Sequence, residues 1–235
     1  MKQYKKVGII CAMDAEAALL INAMENPVRE TVSGMVFTRG IIENTDTIVA
    51  VCGVGKIFAA MCTEAMIIKY SPDCIINSGV AGAPSDVLDI GDIAIASGLV
   101  QHDMDTTGMG DPLGFITGLG LISIPCTEDI IPVLEDCISE QGIHYKVGVI
   151  ASGDEFTHTQ EKRSFLAGHF DAIACEMESV AIGLTCYVNN VDFGIIRSIS
   201  DNGNEEATLD FPRFVIDAAD KAAKIAVSFL KKISC

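Results

Sequence analysis

The chain has 235 residues, of which 49% are hydrophobic and 20% charged, enough to bury a sizeable core and too apolar for disorder. Its 32 acidic against 16 basic residues leave a formal charge of −16, which repels a phosphate backbone and an anionic membrane surface alike and argues against nucleic acid or a membrane as partner. A ligand is then neutral, cationic, or an anion held by a few local groups.

The first 20 residues, MKQYKKVGIICAMDAEAALL, place Lys2, Lys5 and Lys6 before an apolar run as a secretion signal does, but Asp14 and Glu16 interrupt that run too early. The segment reads as a strand, a turn and a helix. No apolar run approaches the ~20 residues needed to span a bilayer. The nine cysteines are odd in number, scattered, and include no Cys-x-x-Cys, so neither a disulfide framework nor a zinc site is indicated and a cytoplasmic location fits. Cys11, Cys52, Cys74 and Cys175 sit in apolar runs and read as small core residues.

Strand-like Val/Ile-rich runs follow at 6–13, 46–55, 73–82, 91–100, 146–154, 171–178 and 193–201. Helix-like segments lie between several of them, at 14–24, 56–70 and 127–142. Continuous rather than alternating hydrophobicity implies strands buried on both faces, and their alternation with helices predicts an α/β fold, one domain over residues 1–235 with a twisted, mixed or mainly parallel central sheet. The tail predicts a packed helix with Asp210 as N-cap, Pro212 in its first turn, and Phe214, Ala218, Ala222, Ile225 and Phe229 on one face.

In open α/β sheets the ligand sits beyond the carboxyl ends of the strands. Glycines and carboxylates gather there: Met13 to Glu16, Gly53 to Lys56, Gly79 to Gly82, Ser152 to Asp154, Glu176 to Glu178, and Ser198 to Asp201. Each has an ordinary reading of its own. Glu16, Glu176 and Glu178 are candidates for first-turn helix acids favoured by the helix dipole, and Asp201 for an Asx turn or cap. The stretch VAVCGVGKIFAA imitates a dinucleotide fingerprint, but Phe58 stands where the third glycine belongs, and a tight strand-to-helix turn explains it. His102, Asp103 and Asp105 suggest a metal only until one looks for a second histidine cluster; a polar loop fits better. What sets the carboxylates apart is that all are expected on one rim, together with Arg197.

Seven pieces in order, GIICAMDAE, CGVGK, IINSGVAG, GDIAIAS, SGDEF, CEMES and RSISD, resemble the methylthioadenosine/S-adenosylhomocysteine nucleosidases of the nucleoside phosphorylase superfamily over nearly the whole length. The resemblance implies a homodimeric hydrolase that cleaves the N-glycosidic bond of 5′-thio-substituted adenosines without a cofactor or metal, in methionine salvage. It implies that Asp201 protonates or hydrogen-bonds purine N7, that Glu16 deprotonates the attacking water, and that Arg197 helps to hold that water. A carboxylate and its water at the sugar, with an acid on the leaving group, suit an oxocarbenium-like transition state. Glu178 would accept from the ribose hydroxyls, with Glu176 beside it and Met177 packed on the sugar. Phe156 would stack on adenine and the Thr157 backbone read its edge. Met13, Val54, Val80 and Phe211 would line the sugar and the 5′ substituent, and Gly82 would let the backbone come close.

Two departures from the family pattern bear on activity and specificity. Val80 stands where some members have a serine near the water, and Met109 and Asp111 stand where others place aromatic residues that close the alkylthio pocket across the dimer. The 101–115 loop is expected to reach the neighbouring subunit's pocket. The rivals are a phosphate-dependent nucleoside phosphorylase, which needs cations where this chain has Asp14, Glu16 and Asn77, a nucleoside-binding protein without catalysis, and a dinucleotide-dependent oxidoreductase resting on GVGK alone.

Overall fold

The computed structural model describes residues 2–234. Its elements run β1 (Lys6–Cys11), α1 (Asp14–Asn22), β2 (Glu25–Val32), β3 (Met35–Ile42), β4 (Thr45–Val51), α2 (Lys56–Tyr70), β5 (Cys74–Gly82), β6 (Ile93–Gln101), β7 (Ser123–Pro125), α3 (Ile131–Ser139), β8 (Tyr145–Ser152), α4 (Gln160–Phe170), β9 (Ala172–Glu176), α5 (Ser179–Asn189), β10 (Asp192–Asp201) and α6 (Ala207–Ile233). All seven expected strands are present. The β2–β3 hairpin and β7 were not expected. β2 lacks an apolar run because it is an edge strand exposed along nearly its whole length, and its Pro27 lies in the register shift between Glu25 and Val28, a place an edge tolerates.

The sheet is mixed. β1 pairs in parallel with β4 and β5, β5 with β10, β6 with β8 and β8 with β9. The joins β10–β6, β9–β5, β2–β3, β3–β4 and β6–β7 are antiparallel. β5, β10, β6, β8 and β9 thereby close on themselves, while β1, β4, β3 and β2 extend the sheet outward. β5 is buried at every residue, as its continuous apolar run requires.

Helices cover both faces. Ala59, Cys62 and Met66 of α2 and Val180, Ile182 and Cys186 of α5 pack in one core, while Ala17 and Leu20 of α1, Leu134 of α3 and Ala222, Ile225 and Phe229 of α6 pack in the other. The last helix corrects one expectation. It starts at Ala207, after an N-cap at Glu206, so Asp210 is a first-turn acid rather than the cap, and Pro212 lies inside the helix. The eight cysteines among the described residues, including the four expected in the core, are buried free thiols, and burial pushes Cys126 and Cys175 up to about 12.

One topological event places the site. The edge of β5 that faces β1 pairs with it as far as Asn77 and finds a strand again only at Gly82, opposite Cys175 of β9. Between those points the sheet splays, and the Val80 N–H on that edge turns to the side chain of Glu16 instead of a strand.

Candidate active site

Glu16 fills the splay. It is the third residue of α1 and 1% exposed. Its Oε1 accepts the Val80 N–H at 3.0 Å, a donor with no strand to take it, and its Oε2 reaches back to the N–H groups of Ala12 at 2.8 Å and Met13 at 3.0 Å. Burial pushes the carboxyl up, against the pull of Arg197 and these three donors. The result is a carboxylate held rigidly, with basicity above the ordinary value.

Arg197, on β10, is fully buried and anchors the neighbouring acids. It is ion-paired to Glu176, donates to Asn77 Oδ1 at 2.5 Å and to Ser179 Oγ at 2.9 Å, and its Nη2 stands 3.8 Å from Glu178 Oε2. A Cβ at Gly79 would strike both Arg197 Nη1 and Glu16 Oε1. That position therefore keeps the guanidinium and the carboxylate within reach of each other.

Glu176 ends β9, and its carboxylate is taken up by the protein. Oε2 accepts the N–H groups of Glu178 and Ser179, each at 2.9 Å, which caps α5, and Oε1 accepts the Ser152 hydroxyl. Glu178, the N-cap residue of α5, is less engaged: Oε1 accepts the Gly55 N–H at 2.8 Å. Burial, then the charge of Glu176, pushes the Glu178 carboxyl up to about 7, with Arg197 and the Gly55 N–H opposing. Three buried acids around one guanidinium leave excess negative charge, and Glu178 takes up the proton that relieves it.

Asp201 stands apart from this cluster. A bulge at Ser200 shifts the register of β10 against β5. A Cβ on Gly79 would meet Arg197 and one on Gly82 would meet Asp201. Three residues apart on one strand, those directions lie on opposite faces of β5. Asp201 accepts the Gly203 N–H and the Ser200 hydroxyl, both at 2.9 Å. Burial pushes its carboxyl up, and Asp210 adds to the shift against those two hydrogen bonds. Whether burial or Arg197 governs Asp201, a balance open in the sequence, is thus decided for burial.

Glu16, Glu176, Glu178 and Asp201 line one cavity of about 340 Å³, together with Met13, Val54, Val80, Gly82, Phe156, Met177 and Phe211. A small annex behind Asp201 is bounded by Gly82, Phe156 and Thr157. The Phe156 and Phe211 rings meet edge to face, 5.7 Å between centroids. Arg197 differs from expectation: it lies behind Glu16 and Glu176 and does not line the cavity. Among the described residues, no Lys or Arg lines it. The 101–115 loop contributes no lining residue either, and Met109 is 76% exposed.

The buttressing of the carboxylates by Asn77, Ser179, Ser152 and Gly55 was not read from the sequence, although IINSGVAG, SGDEF, CEMES and CGVGK contain them and the rim stretches include Ser152 and Gly55. Gly55 had the clearest signal: with φ at 102° it aims its N–H at Glu178, a conformation suited to glycine. His102, Asp103 and Asp105 do not converge, and no group of three metal-ligating side chains occurs among the described residues. A roomier cavity of about 430 Å³ lies against β3 and β4, with Asp14 as its only acid and Arg29 as its only cation.

The family model of the phosphorylase superfamily matches residues 6–231. A 5′-methylthioadenosine/S-adenosylhomocysteine nucleosidase of Shewanella sediminis is 36% identical over 229 residues, covering 97% of this chain and 100% of the relative. An aminodeoxyfutalosine nucleosidase of Helicobacter pylori is 36% identical over 230 residues, covering 97% of each chain. Among solved structures, the 5′-methylthioadenosine/S-adenosylhomocysteine nucleosidase from Neisseria meningitidis in complex with methylthio-immucillin-A superposes with a TM-score of 0.93 at 31% identity, over 97% of this chain and 99% of that one.

Proposed function

The chain belongs to the phosphorylase superfamily, in its branch of 5′-methylthioadenosine/S-adenosylhomocysteine nucleosidases, and on that premise we propose that it hydrolyses the N-glycosidic bond of 5′-thio-substituted adenosines to adenine and the free sugar. The observation that carries this reading is the pairing of Glu16 and Asp201, both buried with raised carboxyl pKa, in one cavity lined by no basic side chain. Asp201, whose carboxyl burial pushes up, donates a proton toward purine N7, so adenine leaves as a neutral base. Glu16 Oε1 accepts one backbone N–H, from Val80, and keeps lone-pair capacity for water, and the carboxylate takes a proton from that water as it attacks the anomeric carbon.

Glu178 Oε2 is offered to the ribose hydroxyls, and Met177 packs beside the sugar. Phe156 stacks on the base, and the Thr157 backbone reads its edge from the annex. Met13, Val54, Val80 and Phe211 line the sugar and its 5′ substituent, with Gly82 at the closest backbone approach. Arg197 acts behind this layer, and Glu176, at the cavity wall with its carboxylate taken up by the protein, orients Glu178 together with it. Val80 supplies a backbone N–H to Glu16 and no hydroxyl to the water.

We place the reaction in the cytoplasm, in methionine salvage, with methylthioadenosine and S-adenosylhomocysteine as substrates. The working unit we propose is a homodimer in which Met109 and the rest of the 101–115 loop, absent from the cavity of their own chain, reach the partner's pocket. The aminodeoxyfutalosine nucleosidase at equal identity makes its namesake the second substrate to try.

The test is adenine release from methylthioadenosine in phosphate-free buffer and again with phosphate. Release without phosphate, yielding free methylthioribose, is expected. Strict dependence on phosphate with formation of the sugar 1-phosphate would make the enzyme a phosphorylase. Binding without release would make it a nucleoside-binding protein, and tight saturable binding of NAD or NADP would revive the oxidoreductase.

A further inference from the structure

Lys56, which closes the GVGK turn, and the acid after His102 meet in space. Lys56 opens α2, and its Nζ contacts the Asp103 carboxylate, with Oδ2 at 2.6 Å, and stands 3.7 Å from Asp154 Oδ2. Its backbone N–H donates to Asp154 Oδ1 at 2.8 Å, and the Asp154 N–H donates to Asp103 Oδ2 at 2.9 Å. The Lys56 side chain is 14% exposed and that of Asp103 29%, against 48% for Asp154, so the Lys56–Asp103 side of the triangle is less screened than a surface pair.

Two of its corners lead to the pocket. The residue before Lys56 is Gly55, whose N–H holds Glu178. Two and three residues after Asp154 come Phe156 and Thr157, which wall the base annex. Between Asp154 and α4 the chain has neither helix nor strand, so its backbone has no ladder of its own to fix it to α2.

We propose that Lys56 is a positioning residue for the nucleoside: by bridging Asp103 and Asp154 it sets the separation between Glu178, which faces the sugar, and the Phe156–Thr157 segment, which faces the base. The proposal rests on the assignment of those two subsites above. Lys56 touches no substrate and acts through binding rather than through the proton transfers at Glu16 and Asp201.

Lys56→Met, which keeps the stem and removes the charge, is expected to raise KM for methylthioadenosine about five- to tenfold, roughly the weight of one partly buried ion pair, with kcat changed less than about twofold. Its affinity for adenine, measured by calorimetry, should fall in parallel, and Lys56→Arg should recover most of both. Asp103→Asn should reproduce the Lys56→Met effect, and the double variant should be no worse than either single one. A fall in melting temperature with KM and adenine affinity unchanged would overturn the proposal, since a merely structural tie would act that way. A loss confined to kcat would overturn it too. If Lys56→Met does not fold, Asp103→Asn carries the same test. Wild-type enzyme that releases no adenine would refute the assigned hydrolysis instead, and adenine affinity would still report on the tie.

Discussion

A Cβ on Gly82 would stand 2.7 Å from Asp201 Oδ1, so the glycine and the carboxyl share one small volume. The near face of that carboxyl is available only because β5 carries no side chain there. Gly82→Ala is expected to push Asp201 off its position and cut kcat by about 100-fold, the scale of misplacing a catalytic group by an ångström. Single-turnover kinetics together with a circular dichroism melt would separate that loss from unfolding.

Asp201→Asn is the cleanest test of the acid. The amide oxygen still accepts from Gly203, and the Ser200 hydroxyl can rotate to accept from the amide N–H₂, so the fold is retained while the proton is lost. Turnover should fall roughly 10²- to 10⁴-fold. Glu16→Gln should fall as far and also destabilise the protein by about 1–3 kcal/mol, because an amide N–H₂ must then face backbone donors at Ala12 and Met13 or at Val80. Adenine release and chemical denaturation check the two effects, and near-wild-type turnover in either variant would refute the roles assigned.

Glu178 makes stability depend on pH with a definite sign. Its folded pKa, about 7, lies above the ordinary 4.5, so the folded state holds a proton that the unfolded chain has released. This group's contribution is fully present below about 4.5 and is lost as pH rises through about 7. Glu178→Gln should abolish that component, so that the variant melts several degrees above wild type at pH 8 while its KM for nucleoside rises at least tenfold. Melts at pH 5 and pH 8 suffice, and an equal gap at both would contradict the shift.

His102 acts in the opposite direction. It is buried, neither ring nitrogen has a hydrogen-bond partner among the described residues, and a Cβ on Gly153 would strike its ring. Burial first, then Lys162, holds its pKa below the ordinary 6.5, with Asp103 and Glu155 opposing and Lys56 adding to the fall. The stability it contributes is present above about 6.5 and is lost as pH falls toward the depressed folded value. His102→Leu is therefore expected to improve relative to wild type on going from pH 8 to pH 5, which paired melting curves would reveal.

Arg197→Met removes the cation that Glu16, Glu176 and Glu178 surround. Uncompensated buried charge typically costs about 3–5 kcal/mol, and urea titration should show a loss of that order. The same variant should shift the acid limb of the pH profile for catalysis upward, since Glu16, the base, loses the cation that opposes its raised pKa, while the alkaline limb set by Asp201 should stay in place.

The carboxylate set was legible in the sequence because each member sits at the carboxyl end of a long apolar run or in the turn that follows it, where a buried strand must release its chain. The α2 boundaries were legible too, from Lys56 to Tyr70, because a glycine turn precedes an uninterrupted helix-forming stretch. β2 was not, since an exposed edge strand has no apolar period to read. Nor was the start of α6, where Pro212 suggested a first turn but lies deeper in the helix.

Periodicity and turn chemistry are local, so the sequence by itself determined the order of strands and helices and the rim on which Glu16, Glu178 and Asp201 gather. Tertiary structure decided what those acids are. The parting of β5 from β1 after Asn77 gives Glu16 the Val80 N–H, and the bulge at Ser200 separates Asp201 from Arg197. Glu176, not Asp201, receives the guanidinium. Protonation follows from desolvation and from charges brought close in space, and both depend on contacts between residues as distant in the chain as Gly55 and Glu178.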